Sequence, residues 1–125
     1  HPGRQGRMSV PVSETLVVLC TCPTGEEAER LARALLEGRL AACVTTLPGA
    51  QSWYWWKGAV ESAHEWLLLI KTTRERYDAL ERTLASLHPY EVPEILAFEP
   101  SAGLPAYLAW VARETGASVA GEHRA

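Results

Sequence analysis

The densest set of chemically capable side chains lies in His88-Pro89-Tyr90-Glu91-Val92-Pro93-Glu94, which holds an imidazole, a phenol, two carboxylates and two prolines within seven positions. An imidazole carries protons near neutrality and is a common metal ligand. Two readings stand open for His88: a ligand in a binding loop, or a ring that holds a rigid loop by bonding its backbone. Cys20-Thr21-Cys22 puts two thiols on one face of a strand end. Their one-residue spacing is not that of zinc sites, which separate paired cysteines by two to four residues. Cys22 and Cys43 read as buried apolar thiols, and Cys20 as a soft-metal ligand provided that His88 lies near it. No nucleophile elbow, Walker, dinucleotide-binding or metalloprotease motif occurs in the chain. Glu26 and Glu27 suit the first turn of a helix, where carboxylates complement the dipole. Glu61, His64 and Glu65 read as a solvated edge of a hairpin. No catalytic set emerges, and the chain is expected not to be an enzyme.

The elements that position these residues are organised around Gln51-Ser52-Trp53-Tyr54-Trp55-Trp56-Lys57-Gly58, which holds three of the five tryptophans. As a strand it sends Trp53 and Trp55 to one face and Tyr54 and Trp56 to the other, leaving neither face for water. Lys57-Gly58 supplies a tight turn and Ala59 starts the return arm. Pairing across that turn sets Trp56 opposite Ala59, Tyr54 opposite Glu61, Leu47 opposite Leu68 and Cys43 opposite Thr72. Arms of this length span on the order of 45 Å, with Pro48-Gly49 marking a kink or bulge. Helices of about 13 residues cover only about 20 Å of such a ribbon. The aromatic half therefore overhangs its own domain, and another copy of the chain is its simplest cover. Trp53, Tyr54, Trp55 and Trp56 are the expected oligomer contacts.

Leu16 to Cys22 reads as a central strand buried on both faces. Thr24-Gly25-Glu26-Glu27 has capping-box spacing, Glu26/Arg30 and Glu29/Arg33 are i,i+4 pairs, and Gly38 suits the C′ position of the helix. Thr72 with Glu75 repeats the capping box ahead of a second helix that His88-Pro89 ends. Glu94 to Glu99 reads as a fourth strand, and Pro105 opens a third helix that stops at Gly116. The order strand, helix, strand, strand, helix, strand plus a terminal helix predicts an α+β, ferredoxin-like (βαββαβ) antiparallel sheet with a long β-hairpin. Right-handed crossovers put both main helices on one face and leave the other without cover from its own chain.

At 125 residues, of which 16–116 form the expected domain, the chain has enough length for a core without staples. Residues 1–15 are expected to be disordered, with Met8 a natural start behind a non-native leader, and 117–125 a flexible tail. A net charge of −3, from 15 acidic and 12 basic residues in small pairs, gives no basic stripe for nucleic acid or an anionic membrane. The longest apolar run, Trp66 to Ile70, is too short to span a bilayer. Three cysteines, an odd number, fit a reducing, cytoplasmic setting better than a disulfide framework.

Four stretches together, Arg39-Leu40-Ala41-Ala42-Cys43-Val44, Ser52-Trp53-Tyr54-Trp55-Trp56-Lys57-Gly58, Ile70-Lys71-Thr72-Thr73 and His88-Pro89-Tyr90-Glu91-Val92-Pro93-Glu94-Ile95, closely resemble the CutA family of divalent-cation tolerance proteins. The likeness runs from Leu16 to about Thr115. It implies a ferredoxin-like subunit in a tight homotrimer, related in architecture to the PII signalling proteins, and an association with copper and other divalent cations rather than with an organic cofactor. The family's proposed copper ligands are a cysteine ending the first strand and two consecutive histidines before Pro-Tyr. By that resemblance Cys20 and His88 are the metal residues, while Leu87 stands where the first histidine would be. The resemblance thus implies a non-enzymatic trimeric copper-binding tolerance protein; the alternative is a PII-like regulator sensing a small ligand at subunit clefts.

Overall fold

A computed structural model describes residues 10–116, so the expectations for 1–9 and 117–125 fall outside the described residues. Order begins ahead of Leu16: Val10 packs against Ala112, and the Glu14 N–H donates to the Pro11 carbonyl at 2.9 Å across a 3-10 turn over Val12–Glu14. The strands are β1 (Thr15–Cys22), β2 (Cys43–Trp56), β3 (Ala59–Thr73) and β4 (Ile95–Phe98), and the helices α1 (Gly25–Glu37), α2 (Arg74–Leu87) and α3 (Pro105–Glu114). The sheet runs β2-β3-β1-β4 with every neighbouring pair antiparallel, which is the ferredoxin-like arrangement that the order of elements predicts.

Alternation along β1 sends Val18, Cys20 and Cys22 to one face, where they meet Leu31 and Leu35 of α1, Leu68 and Ile70 of β3, and Leu80 and Leu84 of α2 in one dry core. The opposite face carries the cross-strand partners Val17 and Phe98, Leu19 and Leu96, and Leu19 and Leu69. One end of it has cover after all: α3 folds back there against β3 and β1. Toward β4 it stays open, with Leu96 50% and Phe98 52% exposed.

The Pro48-Gly49 irregularity is a β-bulge, and it moves the register. Beyond it Ala50 pairs with Glu65 and Trp56 with Ala59, as expected; before it Leu47 faces Leu67 and Cys43 faces Lys71, not Leu68 and Thr72. A bulge adds one residue to one strand only, so an unbroken count across the turn overshoots by one at the root. Lys57 and Gly58 both take positive φ, 51° and 83°, giving the tight turn whose twist matches the ribbon.

Helix ends differ from expectation in detail. Thr24 Oγ1 accepts from the Glu27 N–H at 3.1 Å, but the Glu27 carboxylate turns to Arg30 at 2.5 Å, taking Arg30 from Glu26. Thr72 does not cap α2: its hydroxyl donates to the Leu40 carbonyl at 2.7 Å, and Thr73 is the N-cap. After α1 the left-handed C′ residue is Arg39 (φ 58°), not Gly38, with Leu40 N–H reaching back to the Leu35 carbonyl at 2.9 Å. The Arg39 guanidinium is tied to Glu114 at 2.9 Å, which joins this corner to α3.

Candidate functional site

Cys20 lies near the end of β1 and is fully buried, its thiol donating to the Thr21 carbonyl at 3.6 Å. Burial pushes this thiol up to about 12, helped by the neighbouring Cys22, Glu94 and Glu65. Cys22, also fully buried, is pushed up to about 11 by the same desolvation. Both are protonated, apolar-packed thiols rather than standing thiolates.

His88 follows α2 directly, because the residue before Pro89 is held in extended backbone (φ −70°, ψ 140°) that stops the helix. The residue is only 8% exposed. Nδ1 accepts from the Tyr90 N–H at 3.0 Å, so the proton sits on Nε2, which donates to the Thr21 carbonyl at 2.7 Å. The Thr21 carbonyl therefore gathers Cys20 and His88 at one spot, and a metal bound there by the ring would displace one of its two hydrogen bonds. Leu87 turns its carbonyl to Arg30, at 2.5 Å.

From His88 the network continues outward. The Tyr90 ring packs at 4.8 Å from the imidazole, and its hydroxyl donates to Glu65 Oε2 at 2.7 Å, while Ser52 Oγ donates to Glu65 Oε1 at 2.5 Å. Burial and the bond to Glu65 raise the Tyr90 phenol well above its ordinary range. Glu65 is thus not on a solvated edge, as its charged neighbours suggested, but 7% exposed at the centre of the arrangement. The signal for it was parity: Glu65, Leu67 and Leu69 share one face of β3, so the carboxylate continues an apolar stripe.

Glu65 lines a groove of about 930 Å³ between the hairpin and the loop after His88. Glu61, Glu91 and Glu94 also line it, with Tyr54, Trp56 and Tyr90 among its walls and no lysine, arginine or histidine. In the single chain the expected contact aromatics stand open, with Trp53 69%, Tyr54 42%, Trp55 75% and Trp56 59% exposed. Among the described residues, no three histidine, cysteine or acidic side chains converge on a point that would hold a metal ion.

Compared with known proteins, residues 16–114 match the family model described as CutA1 divalent ion tolerance protein. The chain belongs to the CutA1 family. A relative named divalent-cation tolerance protein CutA, from Thermus thermophilus, is 47% identical over 100 residues, covering 80% of this chain and 97% of its own length. The crystal structure of CutA from Xylella fastidiosa matches with a TM-score of 0.81 at 46% identity, over 82% of this chain and 99% of that one. A CutA structure from Archaeoglobus fulgidus, described as periplasmic, matches with a TM-score of 0.78 at 36% identity, over 81% and 98%. The α+β fold derived above is the CutA1 fold, and divalent-cation tolerance is the role that the names of these relatives carry.

Proposed function

We propose that the chain is a non-enzymatic, homotrimeric divalent-cation tolerance protein that binds copper weakly through Cys20 and His88. The observation that carries the metal reading is the shared Thr21 carbonyl, which accepts from Cys20 Sγ at 3.6 Å and from His88 Nε2 at 2.7 Å. Thiol and imidazole are a donor set suited to copper. Binding is weak because the metal must take a proton from a thiol pushed up to about 12 and displace a hydrogen bond of the ring. Leu87 contributes no side-chain donor. Assembly is supported by the exposed aromatic tip and by the open face at Leu96 and Phe98, apolar area that a neighbouring copy would bury. A non-enzymatic role is supported by His88 and Glu65, whose polar atoms are spent on neighbouring groups. Three free cysteines among the described residues favour a reducing, cytoplasmic location, which cell fractionation checks.

Calorimetric titration with copper(I) of the parent, Cys20→Ser and His88→Ala tests the site, with light scattering to follow assembly. The parent should bind and each variant should lose most of that affinity. Equal affinity in all three, with oligomers intact, rules the site out. Because ligation releases the thiol proton, affinity should rise about tenfold per pH unit across the neutral range. A second reading, a regulatory trimer that senses a small ligand, is favoured by the groove at Glu65.

A further inference from the structure

Cys43 is a thiol that the copper reading leaves unused, and an amine faces it. It lies half-buried at the root of β2, directly across the ladder from Lys71 of β3. Cys43, Leu67, Leu69 and Lys71 share the sheet face opposite the core, whereas Cys20 and Cys22 point into the core from the other side. The Lys71 ammonium donates to Cys43 Sγ at 3.7 Å, to Thr45 Oγ1 at 2.6 Å and to the Leu69 carbonyl at 3.4 Å. No carboxylate shares it: Lys71 makes no ion pair among the described residues. Lysines drawn out of solvent are ordinarily paired with an acid. This one is drawn against a thiol instead.

A thiol beside an ammonium is the setting in which cysteines become nucleophilic toward oxidants. Peroxide takes such a thiol to a sulfenic acid, which is then either capped or oxidised further to acids that do not revert. The usual cap is a second thiol. Cys43 has none in reach, because the only other thiols of the chain, Cys20 and Cys22, are sealed in the core behind the sheet. The nucleophile within reach is the Lys71 nitrogen, carried on a flexible four-carbon stem. Nitrogen can perform the same capping, and the product is a sulfenamide.

We propose that Cys43 and Lys71 form a peroxide-responsive switch, closing a reversible sulfenamide between β2 and β3. In the first step the Cys43 sulfur attacks one oxygen of hydrogen peroxide. An S–O bond forms, the O–O bond breaks, and the other oxygen leaves as water with the thiol proton. In the second, Lys71 releases its ammonium proton to solvent and the amine attacks the sulfur. An S–N bond forms, the S–O bond breaks, and the hydroxyl leaves as water with a proton from nitrogen. One thiol, one ammonium and one peroxide thus give one sulfenamide, two waters and one proton; sulfur is oxidised by two electrons and peroxide reduced by two. Two equivalents of an external thiol reverse the bond, becoming a disulfide as Cys43 and Lys71 are restored. The bridge fastens the root of the hairpin, removes the Lys71 charge and keeps Cys43 from irreversible oxidation.

The test exposes the full-length reduced protein to hydrogen peroxide, reads its intact mass, then alkylates the remaining thiols under denaturing conditions and maps proteolytic fragments. The parent should lose two hydrogens, retain two alkylatable thiols and yield a Cys43 fragment joined to a Lys71 fragment, all reversed by dithiothreitol. Lys71→Arg keeps the positive charge beside the sulfur but offers no free amine. It should form no linked fragments, and at the same dose a severalfold larger share of Cys43 should reach the sulfinic acid. Cys43→Ser should likewise form no link. Should Lys71→Arg fail to fold, the fragment map of the parent still decides. Absence of the linked fragments from the parent, or equal sulfinic acid in the parent and Lys71→Arg, would overturn the proposal. So would a disulfide from Cys43 to Cys20, to Cys22 or to a second copy, which would leave fewer alkylatable thiols. Cys20 and His88 take no part in the bridge, so the copper titration and this test can fail independently.

Discussion

Cys20 shows how far environment can move a residue from its ordinary chemistry. Its thiol is held up to about 12, whereas an unfolded cysteine loses its proton near 8.5. Between those values the folded chain keeps a proton that the unfolded chain has lost, so stability falls as pH rises through that window. The loss has a limit of about 1.4 kcal/mol per pH unit for this group. Denaturant melts between pH 7 and 11 should show the decline, and Cys20→Ala should flatten it while lowering the neutral-pH baseline through its cavity. The same burial predicts that an alkylating reagent at pH 8 modifies the half-buried Cys43 before Cys20 or Cys22. His88 was legible from its type and its company of prolines, as was Cys20 from its place at a strand end. What sequence left open is what each touches: both imidazole nitrogens are engaged, with Thr21 and Tyr90, a fact that rests on loop geometry. Glu65 was misplaced because its charged neighbours Glu61 and His64 outweighed its parity with Leu67.

Between elements, close approaches decide more than propensity does. Gly25 opens α1 with the Trp66 ring so near that an added Cβ would lie 2.8 Å from it. Gly25→Ala should destabilise by about 1–3 kcal/mol through overpacking, read as a lower denaturation midpoint at unchanged slope. The hairpin turn makes a different demand, since Lys57 and Gly58 both need positive φ. Gly58→Val should fray the aromatic tip and redden its tryptophan fluorescence, while the open space around Gly58 rules out a clash as the cause. Strand and helix order was readable from hydrophobic period and punctuation, down to the stop at His88-Pro89. Cap partners were not, because Glu27 had two routes, back to Thr24 or forward to Arg30, and the ion pair won. The root of the ribbon escaped for a like reason: a bulge was visible in Pro48-Gly49, but which strand carries the extra residue depends on the ladder beyond it.

For the whole molecule, the apolar surface left outside the core governs behaviour. Phe98 and Leu96 on the open face and Trp55 at the tip lie far apart in sequence and are exposed together in one chain. Trp55→Asp or Phe98→Asp should weaken the proposed trimer sharply, because assembly would bury an unpaired charge. Light scattering at low micromolar concentration should show the parent as a trimer and these variants as smaller species; a monomeric parent would defeat the proposal of assembly. The bulge at Pro48-Gly49 has a further consequence for how the chain tolerates change. Strand parity behaves as a two-letter reading frame, and the bulge is a frameshift of one. Before it, odd-numbered residues such as Cys43 and Leu47 share a face with Leu67; after it, even-numbered Ala50, Tyr54 and Trp56 take over that same face. Removing Gly49 would merely restore an unshifted frame, with every later residue keeping its partner. Removing Ser52 would either invert the aromatic tip, turning Trp53 and Trp55 to the face that now carries Tyr54 and Trp56, or break the ladder. Chains lacking one or the other residue should part company in assembly, the first holding together and the second coming apart.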